Sequence, residues 1–273
     1  MKKVLLPFDG DHFSAGAFEY ARKINELEPI LLTGVFLPPA DYTQAWNYAY
    51  SGTSVYIPLV ENRDPLLVKN TIDIFETMCL GNGIEYRIHQ DVSSFALKEL
   101  QKETRFADLM ILGSQQFYEN LGSDKPNEYL RDTLHDTECP VIAVPDHISF
   151  PESIVLAYDG SRSSVHAIKS FAALFPLLCN KKTTLIYTEH KPGEGIPEEK
   201  LIRELCINHF SNISFQELHP DTKKNLNTWL SDIEKPLLVS GAYGRSGISQ
   251  LLHKGFITNV IAEHRIPVFI AHF

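Results

Sequence analysis

One short apolar run that ends in Asp-Gly occurs twice, and the two copies lie 150 positions apart. Val4-Leu5-Leu6-Pro7-Phe8-Asp9-Gly10 is echoed by Ile154-Val155-Leu156-Ala157-Tyr158-Asp159-Gly160. The echo continues down the chain. Leu109 to Gly113 matches Pro236 to Gly241, and Pro140 to Val144 matches Pro267 to Ala271. Gly241 follows Gly113 by 128 positions, and Pro267 follows Pro140 by 127. The fall from 150 to 128 corresponds to residues 40–62, which have no counterpart in the second half. Internal repetition of this length means that one architecture is built twice.

Each copy alternates apolar runs with helix-period segments. In Ser14 to Leu27, apolar Phe18, Ala21, Ile24 and Leu27 recur every three or four positions. Ile30 to Leu37 is then a strand. Asp64-Pro65 opens a helix to about Leu80, stopped by Gly81-Asn82-Gly83. Glu85 to His89 is a strand. Ser93 or Ser94 caps another helix, Ala107 to Gly113 is a strand, and a helix lies near Glu128 to Thr137. In the second copy, Ser161 or Ser163 caps a helix to Phe175. Thr183 to Tyr187 and Ile213 to Leu218 are strands, Pro197 to His209 is a helix, and Asp221 caps a helix through Trp229. The expected fold is α/β: two open, five-stranded, mostly parallel sheets with helices on both faces. The expected domains are 1–146 and 153–273. Residues 40–62 form an aromatic excursion with Tyr42, Trp46, Tyr48, Tyr50 and Tyr56, either a contact surface or a loop folded onto its own domain.

The stretch with the strongest chemical signal follows Pro236-Leu237-Leu238-Val239-Ser240. It reads GAYGRSGISQLLHKG, from Gly241 to Gly255. Gly241, Gly244 and Gly247 stand three apart, beside Arg245 and Ser246. Glycines let backbone N–H groups crowd around an anion, and a following helix start adds partial positive charge. A phosphate cradle and a plain strand-to-helix turn both fit this pattern. Ligands of open α/β sheets sit at the carboxyl ends of strands, where Asp9, Gly113, Asp159 and Gly241 are all expected.

Composition narrows the partners. Acidic residues number 34 against 25 basic ones, for a net charge of −9. That argues against general nucleic-acid binding, which needs a basic surface. Cys79, Cys139, Cys179 and Cys206 are widely spread without a CxxC pair, as expected of buried reduced thiols. The opening apolar run is too short for a signal-peptide core, and no segment is long enough to span a bilayer, so the expectation is a cytoplasmic protein without a membrane partner.

Both halves resemble the universal stress protein domain, and the resemblance covers about 1–146 and 153–273. It is carried by VLLPFDG and IVLAYDGS, by LLVSGAYGRSGISQLL, and by NVIAEHRIPVFIA with the fainter YLRDTLHDTECPVIAV. In nucleotide-binding members the loop runs G-x2-G-x9-G-[S/T], and its amides and hydroxyl hold ATP phosphates. The resemblance implicates Asp159 at the adenosine and Gly241 and Gly244 at the phosphates, with Ala157 and Tyr158 flanking the same strand end on the adenine side. In the loop that includes Gly247, Arg245 is read as a partner of phosphate or of a nearby acidic group, and Ser246 as a phosphate contact or the cap of the following turn. ATP, with Mg2+, is the implied ligand. The chain departs from the pattern at Lys254 and Gly255, where the family has Gly and Ser or Thr. The hydroxyl is missing; a lysine there can supply charge instead, block close backbone approach or point into solvent. The first half departs further: Gly113-Ser114-Gln115-Gln116 lacks the second glycine. The resemblance also implies a pseudo-dimer within the chain, Val141–Val144 pairing with Val268–Ala271, and leaves a homodimer open.

The implied function is stress-associated adenine-nucleotide binding with a signalling role. Two alternatives stand beside it: a module that binds a protein or a small apolar ligand, and a slow ATP hydrolase. No GxSxG elbow or Walker loop is present, so no catalytic residue is nominated. His253, His264 and His272 lack metal-pair spacing.

Overall fold

The computed structural model describes residues 1–9, 12–37, 40–41, 60–61, 65–90, 96–114, 133–134, 136–147, 149–188, 195–218, 226–241 and 266–271. The chain divides into two compact units, Met1–Cys139 and Pro140–Phe273.

In the first unit, β1 (Lys2–Phe8), β2 (Ile30–Phe36), β5 (Glu85–Gln90) and β6 (Leu109–Gly113) form a parallel sheet in the order β6-β1-β2-β5. A two-residue antiparallel ladder, β3 (Ala40–Asp41) with β4 (Val60–Glu61), closes the base of the excursion. Helices α1 (Ala15–Leu27), α2 (Pro65–Gly81) and α3 (Ala96–Thr104) connect the strands. Every residue of β6 and the last five of β1 are buried, as in sheets covered on both faces. Phe75 of α2 sets its ring edge-on to Phe8, Phe36 and Tyr86, with centroids 5.7, 5.7 and 5.8 Å away.

The second unit repeats that order and extends it. Strands β8 (Ser153–Ala157), β9 (Lys182–Thr188), β10 (Ile213–Leu218), β11 (Pro236–Ser240) and β12 (Val268–Ile270) are parallel, in the order β10-β9-β8-β11-β12. Strand β7 (Val141–Val144) adds antiparallel to β12, pairing Ala143 with Val268, Ile142 with Phe269 and Val141 with Ile270. Counted by the sequence repeat, each half supplies five strands, β1, β2, β5, β6 and β7 from the first and β8 to β12 from the second, as expected. Strand β7 covers the uncharged edge of β12. Helices α4 (Arg162–Leu174), α5 (Glu199–His209) and α6 (Leu226–Ser231) complete the unit. Phe171 of α4 packs edge-on against Phe269 of β12 at 5.4 Å.

Right-handed crossovers that run in opposite directions from the central strand put helices on opposite faces. In each unit that strand, β1 or β8, has neighbours on both sides. The chain first steps one way, to β2 or β9, and later returns to the other side, to β6 or β11.

Candidate functional site

Strand order reverses between β8 and β11, and open α/β sheets hold ligands at the carboxyl ends of strands at such a reversal. Asp159 follows β8 there, three positions beyond Leu156, and Gly241 follows β11, two positions beyond Val239, the last pair of that ladder. Asp159 is half-buried, and its Oδ1 accepts the Ser161 N–H at 2.9 Å. That turn leads into α4. Ser161 is the cap, its Oγ accepting the Ser164 N–H at 3.1 Å, which decides between the two expected serines. Gly160 between them has φ 77°, a left-handed conformation suited to glycine.

Gly241 is explained by packing. A Cβ there would lie 2.5 Å from the carbonyl carbon of Ser163 and 2.6 Å from the Ser164 nitrogen. The first turn of α4 thus presses directly on the end of β11. Gly113 plays the same part in the first unit, where a Cβ would meet the Ser14 hydroxyl at 2.3 Å. Ser14 caps α1 through the Ala17 N–H.

Ala157 and Tyr158, expected to line an adenine pocket, are buried. The Tyr158 hydroxyl donates to the Pro197 carbonyl at 2.9 Å, and its N–H donates to the Ile186 carbonyl at 3.0 Å. Burial, with the charges of Glu198 and Asp159 nearby, pushes its pKa up to about 12. Pro197 was expected inside the helix. It lies in a turn instead, and α5 starts at Glu199 after Glu198 takes φ 49°. This turn escaped the sequence reading, although Gly195 followed by Pro197 is a turn signal. Gly244, Arg245, Ser246, Gly247, Lys254 and Gly255 lie outside the described residues.

The first unit closes the equivalent strand end. Asp9 is only 5% exposed. Its Oδ1 accepts the His12 N–H at 3.3 Å and lies 3.4 Å from His12 Nδ1. Phe13 stacks on Phe8 at 5.4 Å, and Phe8 stacks on Phe36 at 4.9 Å. Among the described residues, no three His, Cys, Asp or Glu side chains are placed to hold a metal ion. No helix among them is long and apolar enough to cross a membrane.

This architecture is an open α/β fold, and a solved structure shares it. The chain is similar in fold to the crystal structure of a universal stress protein from Archaeoglobus fulgidus DSM 4304, with a TM-score of 0.63 and 12% identity. The match covers 99% of this chain and 96% of that one. No family model matches the chain, and no curated protein matches it in sequence.

Proposed function

We propose that this chain is a stress-response protein made of two universal stress protein domains, and that its second unit binds an adenine nucleotide, ATP with Mg2+, for signalling. The carrying observation is the contrast between two aspartates at equivalent strand ends. Asp159 is half-buried at the β8–β11 reversal, whereas Asp9 is shut in by His12. An ionised carboxylate accepts hydrogen bonds only, which suits the hydroxyls of a ribose. The likeness of fold to a universal stress protein supports the same reading. In this proposal the phosphates lie toward the Gly241–Gly247 loop, with Lys254 supplying charge in place of the missing hydroxyl, and Mg2+ arrives with them.

Isothermal titration of ATP into the protein at about 100 μM, enough to detect roughly micromolar binding, tests the proposal. Saturable heat, lost in Asp159→Ala, is the expected result; no heat removes the nucleotide reading. The proposed role is binding. ADP release that Asp159→Ala abolishes would replace it with slow ATP hydrolysis.

A specific observation favours a second reading, a module that binds a protein or apolar ligand. Leu66, Ile74 and Met78 of α2 are 69, 46 and 38% exposed and stand on one helical face. A 260 nm absorbing ligand on the purified protein would favour the nucleotide reading over this one.

A further inference from the structure

The turn from Gly195 to Glu198 is seated on the end of β8 at two points. The Tyr158 hydroxyl donates to the Pro197 carbonyl at 2.9 Å. The Pro197 ring fills the space beside Gly160, where an added Cβ would come within 2.9 Å of Pro197 Cβ. Asp159 is the residue between these two anchor points. Its carboxylate and that of Glu198 both act on the Tyr158 hydroxyl, which brings this turn near a ligand at Asp159. The turn itself is unusual. Gly195 has φ 71° and Glu198, a residue with a side chain, has φ 49°. Left-handed backbone at a non-glycine residue persists only where surrounding structure holds it. The Tyr158 hydroxyl is the hydrogen-bond anchor that does so on the strand side, and Ile196, 7% exposed, packs the turn down from within.

Charge decides which end of a nucleotide faces this turn. Glu198 is exposed and, like Asp159, close enough to act on the Tyr158 hydroxyl. Two carboxylates repel a phosphate chain and accept hydrogen bonds from hydroxyls and amines. The uncharged nucleoside belongs beside them, and the phosphates point away.

We propose that the Gly195–Glu198 turn is the wall of the nucleoside half of the site, and that Tyr158 is a positioning residue holding that wall through its hydroxyl without touching the ligand. This rests on the nucleotide reading above.

The full chain tests it with ATP as the probe, by calorimetry and by backbone hydrogen exchange over residues 195–201. In the wild type, ATP should slow exchange across this segment. In Tyr158→Phe the segment should exchange faster without ligand, and ATP affinity should fall about five- to tenfold, the effect of one buried hydrogen bond. Gly160→Ala, which pushes Pro197 from the other side, should give the same pair of changes and serves if the first variant folds poorly. ATP binding that leaves exchange at 195–201 unchanged overturns the proposal while the nucleotide reading stands. Equal ATP affinity in wild type and both variants does the same. A wild type that binds no ATP overturns the nucleotide reading, and the wall with it.

Discussion

Gly241 and Ser163 approach so closely that no side chain fits between them: a Cβ on residue 241 would sit 2.5 Å from the Ser163 carbonyl carbon. The obstacle is backbone at the start of a helix, so it cannot rotate away. Gly241→Ala should destabilise the protein by about 1–3 kcal/mol, the range for overpacking. Gly113→Ala meets Ser14 Oγ at 2.3 Å and Ser14 Cβ at 2.8 Å, an anchored helix cap, and should also be destabilising. Gly81→Ala, with open space around it at the end of α2, should be neutral or slightly stabilising. Urea unfolding of the three variants checks this order.

Ser161→Ala should cost about 1 kcal/mol of stability, the usual loss for an N-cap. The Ser164 N–H loses its acceptor, and the turn that orients Asp159 loses its far anchor. Ser161→Asp keeps an acceptor at the helix start and should restore stability in the same urea titration.

The four cysteines are buried and free. Burial pushes the Cys79, Cys139 and Cys206 thiols up to about 12, and Cys179 up to about 11. A folded-state value above the unfolded one means that stability is whole below the unfolded value, about 8.5. It then falls as pH rises toward 11–12. Native protein at pH 8 should react negligibly with a thiol reagent, and all four thiols should become reactive together on unfolding. A fast-reacting thiol in native protein would contradict the burial.

Thr33 lies in β2, fully buried, with no hydrogen-bond partner for its Oγ1 among the described residues. Thr33→Val replaces that hydroxyl with a methyl of similar shape. Stability should rise by about 1 kcal/mol, read from the midpoint of thermal unfolding.

Much of this fold is readable in the chain because buried parallel strands are apolar throughout. Val4 to Phe8, Leu109 to Leu112, Ile154 to Ala157 and Pro236 to Ser240 declare themselves that way. The pairing of Val141–Val144 with the final strand is also legible, since an uncharged edge needs cover. The β3–β4 ladder is not, because two residues on each side carry no periodicity. The site is half legible. Asp159 stands where the strand-end rule places it. Gly241 reads as an anion-binding glycine, yet its packing against Ser163 already requires it to lack a side chain, and the sequence cannot separate those two reasons. Pro197 reads as the first residue of a helix because prolines favour that place. Its actual position depends on a hydroxyl from Tyr158, 39 residues earlier, which no local pattern reveals.

The antiparallel strand Val141–Val144 also bears on how such a chain can arise and be cut. A gene segment copied from residue 153 onward would encode a sheet whose last strand, Val268–Ile270, has a bare flank. Expressed alone, 153–273 should therefore self-associate along that flank, because the strand that covers it comes from before the repeat restarts.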